Sequence, residues 1–130
     1  MDGEKLAHEL ETIALLVGRA RETIDRHDAE SFAVDRDAVD VTAYRLAMIG
    51  EHCKRLPADL QERHPNLPWR QMVGLRNIVS HAYDEIDTGI IWSAASVRLG
   101  EIDKMCREER LRLDLERARS NSDRDGGRDG

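Results

Sequence analysis

The chain has 130 residues, 40% of them hydrophobic, 35% charged and 4% aromatic, and its 20 Lys and Arg against 26 Asp and Glu leave a net charge of −6 and a pI near 5.4. This is the length of one domain with a real core, in a composition rich in helix formers. No apolar run reaches the roughly 20 residues of a membrane span, the first residues lack the basic head and apolar block of a secretory signal, and the acidic balance weighs against generic nucleic-acid binding while leaving room for a local basic pocket.

The first predicted element spans about 4–26. Leu6, Leu10, Ile13, Val17, Ala20 and Ile24 recur in steps of four and three, one apolar stripe along a helix. A connector over 27–35 carries a single large apolar anchor, Phe32, and Asp35 and Asp37 both suit the N-cap of the next helix. That second long helix shows Val39, Ala43, Leu46, Gly50 and Cys53 with the same alternation of steps. A glycine on such a stripe costs helix propensity, so Gly50 implies a close helix contact. A short helix over 57–62 begins on Pro57, Pro65 and Pro68 impose an extended turn, and Pro68 opens a third long helix. Asp87 caps the last one, whose stripe is Trp92, Ala95, Leu99, Ile102 and Cys106. The expected fold is therefore all-α, an antiparallel up-and-down bundle of four to five helices over 1–116. Residues 117–130, rich in Ser, Asn, Asp, Arg and Gly, are expected to form a disordered charged tail. Cys53 and Cys106 lack CxxC spacing, which predicts two reduced thiols in a cytoplasmic protein.

The third helix concentrates the chemistry, with Arg76, Asn77, His81 and Tyr83. A guanidinium grips phosphate oxygens as a fork, and an imidazole moves protons near neutral pH. With Met72 at 0° and about 100° per residue, Arg76 falls at about 40° and Tyr83 at about 20°, beside the core face of Met72, Leu75 and Val79. Asn77 falls at about 140° and His81 at about 180°. Arg76 and His81 thus diverge by about 140°, and they share a site only if the helix loosens near Ser80 to Tyr83 or a second subunit completes the pocket. Without either, Arg76 reads as a surface residue lying over apolar neighbours, His81 as solvated and Tyr83 as an edge of the core.

Other candidates carry less. His52, Cys53, His64 and Cys106 match no structural zinc spacing. Lys54, Arg55, Arg63, His64 and Arg70 could flank a phosphate path or form a solvated face, Glu51 could orient a base or an Arg, and Trp69 and Trp92 suit core or interface anchoring. There is no glycine-rich phosphate loop, Ser-His-Asp arrangement or paired-carboxylate metal motif.

From about Leu6 to Ile102 the chain resembles the HepT-like toxins of the HEPN superfamily. The resemblance is carried by Ile49-Gly50-Glu51, by His64-Pro65-Asn66-Leu67-Pro68-Trp69, and by Arg76, four residues, His81, one residue, Tyr83. It departs at Ser80 and Ala82, where an apolar residue and Gly are common. It implies a helical bundle that dimerises about a shared cleft, and metal-independent endoribonuclease activity without a cofactor. Arg76 and His81 would be catalytic, with Asn77 and Tyr83 positioning the RNA. It also implies a partner, a minimal MntA-like nucleotidyltransferase antitoxin that transfers AMP to Tyr83. The residues leave two other readings open: a non-catalytic interaction module for such a partner, and a nucleotide-binding subunit in which Arg76 holds a phosphate.

Overall fold

The computed structural model describes residues 1–81 and 87–128, with side chains for 1–77 and 87–123. Among them are four long helices, α1 (Gly3–Asp25), α3 (Arg36–Lys54), α5 (Trp69–His81) and α6 (Thr88–Arg128), and two single-turn helices, α2 (Ala29–Val34) and α4 (Ala58–Arg63). The all-α bundle expected from the periodicity is what forms.

Each start has a local cause. The Asp2 carboxylate accepts from the Lys5 amide and the Asp35 carboxylate from the Ala38 amide, so of the two aspartates proposed for the second cap it is Asp35 that serves. Asp87 accepts from the amides of Gly89 and Ile90, where α6 opens. Helix α2 is an element the apolar pattern does not show, because six residues are too short for a stripe. It forms because Asp28 and Ser31 close a capping box and Phe32 is fully buried. Pro57 takes the cap before α4 rather than its first turn, with ψ of 149°.

The core is the predicted stripes brought together: Leu10, Ile13 and Val17 of α1, Leu46 and Ile49 of α3, and Leu99 and Ile102 of α6 are all at most 1% exposed. Phe32 packs against Trp92 with ring centroids 5.2 Å apart and planes tilted by 48°, and the Trp69 indole N–H donates to the His64 carbonyl at 2.9 Å. Both tryptophans are anchors at the edge of the core.

Helix α1 runs antiparallel to α3, since Arg45 of α3 donates to the Arg19 carbonyl and the Thr23 hydroxyl while His52 meets Glu9. It runs antiparallel to α6 as well, where Arg21 faces Asp103 and Arg110 faces Glu11. Helix α5 packs chiefly on α3.

Helix α6 continues to Arg128, through residues whose composition predicts a disordered tail. Its last buried residue is Leu113, and every described side chain from 114 to 123 is exposed. Past Leu113 the helix leaves the core: Arg117 still reaches the start of α1, its guanidinium 3.7 Å from where a Gly3 Cβ would lie, and local pairs such as Arg112–Glu116 brace these turns.

Candidate active site

The site is built on the α3–α5 contact. Gly50 makes it possible: a Cβ there would lie 2.4 Å from the Met72 carbonyl oxygen and 3.6 Å from the Val73 Cα. The backbones approach at the position where the sequence places a glycine on an apolar stripe. Glu51 is the next residue on α3, and Arg76 lies one turn beyond Met72 on α5. The close approach thus brings Glu51 within reach of Arg76, whose Nη1 donates to Glu51 Oε2 at 3.0 Å.

The Arg76 side chain is 61% exposed and that of Glu51 26%. An ion pair this open adds little to stability, and its consequence is orientation. It draws a long side chain against α3 and leaves the guanidinium largely exposed, where a phosphate can reach it. Asn77 is exposed beside it.

The backbone is helical from Arg76 through His81, so the helix does not loosen between them, and the divergence of about 140° stands. The His81 side chain and the whole of Tyr83 lie outside the described residues, as does everything from Ala82 to Ile86.

Three of the remaining basic candidates, Arg55, Arg63 and His64, are engaged elsewhere. Arg63 and His64 do not line a phosphate path. Both turn to Glu109, a carboxylate of α6 only 5% exposed: Arg63 Nε and Nη2 donate to its two oxygens at 3.2 and 2.5 Å, and His64 Nε2 lies 2.8 Å from Oε2. His52 Nδ1 lies 2.6 Å from Glu9 Oε2, and Arg55 is 3.6 Å from the same carboxylate. Lys54 and Arg70 are exposed. The sequence pattern misses Glu9 and Glu109 because each falls among many surface acids of an amphipathic helix. Only the fold selects these two for burial.

The two histidines weighed as metal ligands are engaged in the same way. His52 and His64 each face a carboxylate, and no group of His, Cys, Asp and Glu suited to a metal occurs among the described residues. Cys53 and Cys106 are buried thiols. Burial pushes the Cys53 pKa far up, with Cys106 and Glu9 adding to it, and burial followed by the nearby Asp103 charge raises Cys106 to about 12.

Burial alone would raise the Glu109 pKa, but the hydrogen bonds from Arg63 and His64 outweigh it and hold the carboxyl below its usual 4.5. A depressed folded value adds stability that is fully present above 4.5 and disappears as pH falls through the folded value. Glu109→Gln is expected to cost about 2 kcal/mol at pH 7 by removing the buried charge that Arg63 and His64 share, with only the exposed Asp59 left beside Arg63. Urea unfolding between pH 7 and pH 3 should show a shallower acid loss in the variant. Parallel profiles would refute the assignment.

Known proteins share this chain's pattern. The family described as "Ribonuclease HepT-like" matches residues 13–109. A Methanocaldococcus jannaschii protein named "Putative RNase" is 32% identical over 90 residues, 68% of this chain and 75% of its own length. A Thermococcus cleftensis protein named "Probable ribonuclease HepT" is 35% identical over 63 residues, 48% of this chain and 57% of its own. A "Putative RNase" of Caldanaerobacter subterraneus is 28% identical over 103 residues, 79% of this chain and 88% of its own. No solved structure matches. Among the described residues no helix is long and apolar enough to cross a membrane.

Proposed function

The chain belongs to the HepT-like ribonuclease family, and from that premise we propose that it is a metal-independent endoribonuclease toxin, active as a homodimer and neutralised by a nucleotidyltransferase antitoxin. The observation that carries this reading is the exposed Arg76 guanidinium, fixed by Glu51 on the helix that also bears His81.

RNA brings its own nucleophile. Cleavage without metal needs a base for the 2′-hydroxyl proton, an acid for the departing 5′-oxygen, and a cation for the charge on the phosphorane between them. Arg76 supplies the cation. His81 supplies proton transfer. Asn77, one turn before His81, positions the phosphate or the imidazole.

Helix geometry supports the dimer. Because α5 is helical from Arg76 through His81, the Arg76 and His81 of one chain diverge, and a second chain brings its own pair to the same phosphate. Two imidazoles, one from each chain, then divide the base and acid roles. The antitoxin acts at Tyr83: the phenol oxygen attacks the α-phosphorus of ATP, pyrophosphate leaves, and the AMP ester sets an anion and a bulky base in the RNA path.

Expression of the chain alone tests the reading. Wild type should arrest growth and cleave RNA, and His81→Ala should lose both, with cleavage down about 100-fold or more. Equal cleavage by the two chains would defeat the assignment. Co-expression with a nucleotidyltransferase encoded beside it should add the mass of AMP, and Tyr83→Phe should remove that addition.

A further inference from the structure

Tyr44 is an aromatic residue with no visible structural duty. Its neighbours in kind serve the core, Phe32 fully buried and Trp69 and Trp92 half-buried, whereas Tyr44 is 61% exposed. Among the described residues its ring meets no other ring and its hydroxyl has no hydrogen-bond partner. An exposed aromatic ring in mid-helix brings less helix propensity than the Lys or Glu that solubility alone would favour.

Its position is specific. Tyr44 precedes Glu51 by seven residues, so the two lie within about 20° of each other around α3 and about 10 Å apart along it. Val41 and Met48, both half-buried, lie on the same side and give the ring an apolar surround. Between Tyr44 and Arg76 the carboxylate on this side is paired, Glu51 with Arg76 at 3.0 Å, and Asp40, one turn before Tyr44, meets Arg36 at 3.2 Å, while the exposed Asp37 lies beyond the ring, away from Arg76. An anionic strand held at Arg76 therefore runs along an apolar, charge-compensated surface that ends in an open ring. Nucleobases stack on such rings irrespective of sequence.

We propose that Tyr44 stacks a base of the RNA whose phosphate Arg76 holds, and so sets where the strand lies relative to the cleavage site. The proposal rests on the ribonuclease reading and adds to it a binding residue outside the Arg76–His81–Tyr83 motif. Phosphate grip and base stack together fix a strand at two points, which one guanidinium cannot do.

The test uses the full chain carrying His81→Ala, so that RNA is bound without being cut. A labelled adenylate oligomer and an abasic oligomer of the same length are titrated by fluorescence anisotropy. Tyr44→Ala should weaken adenylate binding about tenfold, Tyr44→Phe should bind like the parent, and the abasic oligomer should bind all three alike. The site is exposed, so both variants should melt with the parent.

Unchanged adenylate binding by Tyr44→Ala overturns the proposal, as does an equal loss with the abasic oligomer. A smaller solution mass for Tyr44→Ala overturns it in favour of a contact between protein chains. If the parent binds neither oligomer, the ribonuclease reading fails and takes this proposal with it.

Discussion

Arg76→Ala is expected to lower RNA cleavage by about 100- to 1000-fold, the usual cost of removing a group that stabilises charge in the transition state. Folding should be nearly unaffected, because the Arg76–Glu51 pair is open to solvent and such pairs contribute about 1 kcal/mol or less. Glu51 has a different part. It touches the guanidinium rather than RNA, so Glu51→Gln should cost about tenfold through a less ordered Arg76. A double-substitution cycle separates this positioning role from a merely structural one. Once Arg76 is Ala, Glu51→Gln should have no further effect on cleavage. Additive losses would show that Glu51 works independently of Arg76, and an Arg76→Ala chain that cleaves at the wild-type rate would remove Arg76 from the mechanism.

Gly50→Ala should be the most damaging single-atom addition in the bundle. Alanine gains up to about 1 kcal/mol of helix propensity over glycine, which would stabilise an open helical position. At Gly50 the new methyl meets a backbone oxygen at 2.4 Å. A side chain can rotate away, whereas the Met72 carbonyl moves only if α5 moves. Overpacking of this kind costs about 1–3 kcal/mol or more, so a net loss of roughly 2 kcal/mol is expected. Activity should fall further than stability requires, because displacing α5 draws Arg76 away from Glu51. Gly18 of α1 is the control, with no atom within 4 Å of its added Cβ: Gly18→Ala should hold or raise the denaturant midpoint. Equal midpoints for Gly50→Ala and wild type would mean that α5 is not seated on Gly50.

Both predictions turn on a contact the sequence half reveals. Gly50 on an apolar stripe announces that something comes close, and the spacing of Arg76 and His81 announces a problem for any single helix. What comes close is fixed only by the fold. Nothing in the spacing of Glu51 and Arg76, 25 residues apart, pairs them until α5 settles against α3. The long helices are legible because each carries a stripe several turns long. Helix α2 is not, since its only signals are one capping box and one phenylalanine. The continuation of α6 past Leu113 is illegible for the opposite reason: residues 114–123 bury nothing, so no apolar period marks them as helix. The basic cluster around Arg63 misleads because sequence records charge without its partner, and Glu109 lies 46 residues away.

The two sulfurs bear on how this molecule can be watched. Thiols react as thiolates, and both cysteines are buried, with pKa values far above physiological pH, so each presents almost no thiolate to a labelling reagent. Wild type is therefore a quiet background for thiol labelling. A single cysteine introduced on the exposed face of α3 would be the one sulfur a maleimide reaches, and a spin or dye pair placed there would report the separation between two chains without first removing any native residue.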